Sequence, residues 1–103
     1  MKANHLSIMD ELRRVLLPME LCEQLGWKTG SKVNAQINKS DKSLHIYTSS
    51  VNIAGDSKMV IDELGRVTLE EGVLGELGWD IGKLSISIDS TGSLLLLKQT
   101  TNM

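Results

Sequence analysis

Apolar and polar residues alternate along much of this chain, in short runs separated by turn-forming residues. In "KVNAQIN" the residues Val33, Ala35 and Ile37 fall on one face. In "LSISID" the residues Leu84, Ile86 and Ile88 do the same. A period of two predicts half-buried strands. Shorter runs of similar character, "HLSIM", "RVLL", "KMVI" and "RVTL", predict four more strands, and "SLHIYT" and "SLLLLKQ" complete a set of eight. The consecutive leucines Leu94 to Leu97 predict a strand covered on both faces.

Two segments switch to a helical period. Leu21, Cys22 and Leu25 form an i, i+1, i+4 stripe, and Val73, Leu74 and Leu77 repeat it. Pro18 suits the first helical position, where its missing N–H is not needed. Gly26 and Gly78 stand where a helix ends in a left-handed residue. Gly72 and Gly75 should weaken the second helix. Tight turns are expected at "DELR" and "DELG", where an Asp side chain can bond the backbone that follows it.

These elements occur twice in the same order. Offset by 52, residues 10–30 ("DELRRVLLPMELCEQLGWKTG") overlie residues 62–82 ("DELGRVTLEEGVLGELGWDIG"), with ten of 21 positions identical. The identities include both tryptophans, Trp27 and Trp79, which are read as large core side chains at equivalent places. The second copy then loses one residue after Gly82 and another in the next turn, where loops tolerate deletion. The organisation read from this is a first repeat over 1–48, a small and polar linker over 49–57, and a second repeat over 58–103. A β-β-α-β-β unit of this size cannot easily bury its apolar faces alone. The expected fold is therefore mainly β with two short helices, the tandem repeats closing on each other as one barrel-like core with an internal pseudo-two-fold.

Composition narrows the function. No apolar run approaches the ~20 residues needed to span a bilayer, and "MKANHLSIMDEL" lacks the apolar stretch of a secretory leader. The single Cys22 cannot form an internal disulfide and reads as a small core residue. A cytoplasmic protein is expected. His5 and His45 have no Cys or His at metal-ligand spacing, so no metal is expected. Asp10-Glu11 and Asp62-Glu63 lie adjacent on turns with no nucleophile or His beside them, so no catalytic residue is assigned. The nine glycines fall at turns and helix ends rather than in a phosphate loop. Neither an enzyme, a cofactor nor a small-molecule substrate is expected.

The net charge is −2, unevenly spread. Residues 1–54 hold seven basic and five acidic residues (+2), and residues 55–103 hold four basic and eight acidic (−4). The two halves are expected to do different electrostatic work.

"IMDELRRVLLPMELCEQLGWKTGSKV" and "VIDELGRVTLEEGVLGELGWDIGKL" together resemble the AbrB/MazE/MraZ/SpoVT swapped-hairpin superfamily. The shared features are a D-E-L-G-R-[VI]-x-[IL]-P strand-turn-strand, a short helix ending in L-G, and a Gly leading into the last hairpin. Arg13 stands in place of the turn Gly in the first copy, and Glu70 in place of the expected Pro in the second. The resemblance implies that the two units interleave their hairpins into one β-barrel, an intramolecular pseudo-dimer. It also implies a transcriptional regulator that binds duplex DNA.

In that family, basic residues contact DNA just ahead of the turn, at the turn Arg, and as a pair in mid-helix. Here the first place holds Ser7-Ile8 and Met59-Val60, with Lys58 adjacent. The second keeps Arg14 and Arg66. The third holds Cys22-Glu23 and Leu74-Gly75. The candidate DNA-binding residues are Arg13, Arg14, Arg66 and Lys58 at or beside the turns, with Lys28 and Lys32 from a basic patch of the first half that could face phosphate. Arg14 and Arg66 could grip phosphate or a base edge, or staple their own turns by pairing with Asp10 and Asp62. Arg13, with no counterpart in the second copy, is expected to be the freest. Lys39 and Lys42 read as a solvated hairpin tip. The alternative function is a protein-interaction or oligomerisation module of the same fold, binding a second copy or a partner protein, including in the manner of an antitoxin.

Overall fold

The computed structural model describes residues 5–48 and 57–99, the side chain of Ser57 excepted. The linker reading for 49–56 lies outside these residues. In chain order the elements are β1 (His5–Met9), β2 (Arg14–Leu16), α1 (Met19–Leu25), β3 (Lys32–Asn38), β4 (Ser43–Tyr47), β5 (Ser57–Val60), β6 (Arg66–Thr68), α2 (Glu71–Leu77), β7 (Gly82–Ile88) and β8 (Leu95–Gln99). The eight strands form one antiparallel sheet in the order β5-β3-β4-β8-β7-β1-β2-β6. Its two end strands, β5 and β6, are in contact through the Asp62–Gly65 turn, which nearly closes the sheet into a barrel.

The pairing exchanges elements between the repeats. The first strand of each repeat lies on the third strand of the other: β1 on β7 and β5 on β3. The two exchanges have matching register, since Ile8 opposes Lys83 as Val60 opposes Lys32. The second strands meet at the pseudo-two-fold, where Val15 opposes Val67, flanked by Arg14 opposite Thr68 and Leu16 opposite Arg66. The last strands meet at its other end, with His45 opposite Leu96 and Ile46 opposite Leu95. Neither half has a complete set of strand partners without the other.

Alternation builds the core. Val15, Val67, Leu44, Ile46, Leu84, Ile86, Leu95 and Leu97 are all 0–1% exposed and belong to one cluster. The helices add Leu21, Cys22, Val73 and Leu77 to it, with Leu25 and Leu74 packed at its edge. Trp27 and Trp79 are buried as expected, and the Trp79 indole N–H donates to the Lys42 carbonyl at 3.3 Å. Both helices end in a left-handed glycine, Gly26 at φ 76° and Gly78 at φ 69°.

Three expectations are corrected. Pro18 is the N-cap rather than the first helical residue: β2 delivers it in an extended conformation (φ −59°, ψ 127°), and its carbonyl accepts the Leu21 and Cys22 N–H groups. The leucine run is not covered equally on both faces. Leu95 and Leu97 point into the core, whereas Leu94 and Leu96 are half-buried on the other side, Leu96 between its cross-strand neighbours His45 and Ser87. Strand β5 begins at Ser57, inside the span assigned to the linker.

Candidate nucleic-acid interface

The two D-E-L turns are built alike. Asp10 Oδ1 accepts the N–H groups of Leu12 and Arg14, both at 2.9 Å, and its Oδ2 accepts Arg14 Nε at 2.7 Å. Asp62 does the same for Leu64 (2.9 Å), Arg66 (2.8 Å) and Arg66 Nε (2.9 Å). The backbone N–H of the turn arginine, seconded by its guanidinium, holds each carboxyl below the usual aspartate range against a smaller opposing effect of burial. Each turn arginine thus staples its own hairpin. Its side chain remains about a third exposed (33% for Arg14, 27% for Arg66), so the guanidinium is still reachable from outside.

Arg13 is not the free cation expected from its lack of a counterpart. It occupies the left-handed position of its turn at φ 64°, where the second turn has Gly65 at φ 82°. From there its Nε donates to the Leu69 carbonyl at 3.0 Å, and its own carbonyl accepts the Leu69 N–H at 2.9 Å. Arg13 therefore ties the first turn to the far end of β6.

The remaining candidates divide by position. Buried Val15, Val67 and Met59 alternate with residues that must point away from the core, so Arg14, Arg66 and Lys58 lie on the outward face of β2, β6 and β5. Lys32 joins them on β3, diagonal to Lys58 across the β3–β5 ladder. Arg14 and Arg66 sit diagonally across the pseudo-two-fold, roughly 7–8 Å apart by ladder geometry. Lys28 is separate. It is exposed in the loop after α1, which docks on the second turn through Gly30 N–H to the Ile61 carbonyl (2.8 Å).

The symmetry also exposes a residue that the sequence reading passed over. Lys83 on β7 is the counterpart of Lys32 and faces outward beside Ile8. The one-residue deletion changes the offset to 51 there, which was the signal available. The outward face thus carries Lys32, Arg66, Arg14 and Lys83 in a symmetric arrangement, with Lys58 added on one side. Lys58's own counterpart is the exposed Leu6. Glu11 and Glu63 stand exposed at the turn tips. Of the hairpin-tip lysines, Lys39 lies 3.4 Å from Glu76 on α2, and Lys42 takes a left-handed backbone at φ 56°.

Among the described residues there is no cluster of three or more His, Cys, Asp or Glu able to hold a metal, and no helix long and apolar enough to cross a membrane. Cys22 is buried, and burial pushes its thiol upward, away from the reactive thiolate. No known family model matches the chain, and no curated protein matches it.

Proposed function

We propose that this protein is a duplex-DNA-binding transcriptional regulator of the AbrB-like, swapped-hairpin type, and that its outward β2–β6 face meets the DNA. The observation that supports this reading is the symmetric set of cations about the pseudo-two-fold. Arg14 and Arg66 flank the Val15–Val67 pair, and Lys32 and Lys83 lie farther out on equivalent strands. Duplex DNA has local two-fold axes of its own, and proteins with matching symmetry use them to place equivalent cations on both backbones. In this arrangement the lysines neutralise phosphates. The turn arginines, pre-oriented by Asp10 and Asp62, reach the groove between them.

The test is fluorescence anisotropy of labelled duplex fragments, the protein's own promoter included, across a salt series. Binding should weaken steeply with salt. Lys32→Ala and Lys83→Ala should each flatten the slope of log K against log salt by about 1. Arg13→Ala/Arg14→Ala should weaken binding further. Absence of binding to any fragment at low salt would sink the reading.

A further inference from the structure

We propose that the first half of the chain carries a self-association site: a second copy docks by two-fold symmetry into the apolar groove between β2, α1 and the Asp62–Gly65 turn. The groove measures about 520 Å³. Its floor includes the buried Trp27, and Leu16, Met19 and Leu64 stand at its rim, 51%, 75% and 66% exposed.

The duplication supplies an internal control for whether the fold needs these residues. Leu16 and Met19 correspond to Thr68 and Glu71, which are also exposed in the second half, and Pro18 corresponds to Glu70. At Leu16 and Met19 the same structural positions thus accept polar residues, so packing within the chain does not account for these two, whereas Leu64 at the rim is matched by the exposed Leu12. Large exposed apolar side chains gathered on a groove mark a contact surface. In the opposite half Arg13 stands at the position where Gly65 borders this groove, and its guanidinium reaches the Leu69 carbonyl.

Charge argues for a second copy as the occupant. Lys28 and Glu63 both line the groove, and neither takes part in an ion pair among the described residues. A two-fold contact that sets Lys28 of one copy against Glu63 of the other forms that pair twice, because an isologous interface repeats every i–j contact as j–i. The counterparts in the second half are Asp80 and Glu11. The same operation on that face sets acid against acid, so the pattern is self-complementary on one side of the molecule only.

The groove adjoins the proposed DNA face, since Leu16 lies opposite Arg66, so the proposal is tested without DNA, by sedimentation velocity across a concentration series. A monomer–dimer equilibrium is expected. Leu16→Thr/Met19→Glu, which installs the residues of the second half, should abolish the dimer while leaving the circular dichroism spectrum unchanged. Lys28→Glu should weaken it about tenfold, since symmetry doubles each like-charge contact. Adding Glu63→Lys should restore it. A strictly monomeric protein, a dimer indifferent to these substitutions, or open-ended growth with concentration would each overturn the proposal.

Discussion

Truncating Val15 and Val67 separately and together tests the exchange between the halves. These residues are 52 positions apart in the chain, yet they oppose each other at the pseudo-two-fold and are 0% and 1% exposed. Val→Ala removes two carbon groups from a site with no solvent to refill it. At ~0.8 kcal/mol for each, plus a contribution from the residual cavity, each single substitution should cost about 2 kcal/mol. That is a large share of the ~5–15 kcal/mol typical of a domain this size and should lower Tm by roughly 8–15 °C. The two truncations share one cavity, so the second should cost less than the first. The double variant should then fall short of the sum by about 0.5 kcal/mol or more. Urea unfolding followed by the fluorescence of the buried Trp27 and Trp79 supplies all three values. Additivity within about 0.3 kcal/mol would mean that the valines do not meet, and the register assigned to β2 and β6 would be wrong.

Two further predictions concern the turns and helix ends. Gly26 is left-handed with free space around its missing Cβ, so Gly26→Ala should cost ~1–2 kcal/mol through backbone strain alone, whereas Gly72→Ala in an equally open helical position should stabilise by ~0.4–1 kcal/mol; paired urea midpoints check the opposite signs. The Asp10 and Asp62 carboxyls titrate below the ordinary aspartate value of 3.8 in the folded protein, so the stability they contribute is present above that value and is lost as pH falls through their lower folded values. Asp62→Asn should lower the urea midpoint at neutral pH and flatten its fall below about pH 4; an unchanged acid profile would mean that the turn is not held by the carboxylate.

Much of the fold was legible because its determinants are local. Alternation located the strands, the 3.6-residue stripes located the helices, and Gly26 and Gly78 marked the helix ends. Comparing the chain with itself added the pseudo-two-fold, since a repeat too small for its own core must complete it elsewhere. The register was less accessible. That Ile8 meets Lys83, or that Leu96 sits between His45 and Ser87, depends on how the halves dock, and no local pattern encodes it. The candidate site shows the same division. Asp10 and Asp62 could be assigned to their turns by spacing alone. The reach of Arg13 to Leu69 could not, because it joins residues 56 apart. Lys83 was overlooked because it lies in the acidic half, although its position matches that of Lys32.

The exchanged strands have a consequence for how the halves could diverge. Had the two repeats been separate chains, free assortment would have produced three kinds of pair, and any specialised face would have been diluted among them. Joined in one polypeptide, with β1 completing the second repeat and β5 completing the first, every molecule is the mixed pair. Arg13 can stand in one turn while Gly65 stands in the other, and Lys58 can answer to Leu6, with a fixed one-to-one stoichiometry. Tandem linkage turns a two-fold scaffold into an object with a distinct left and right.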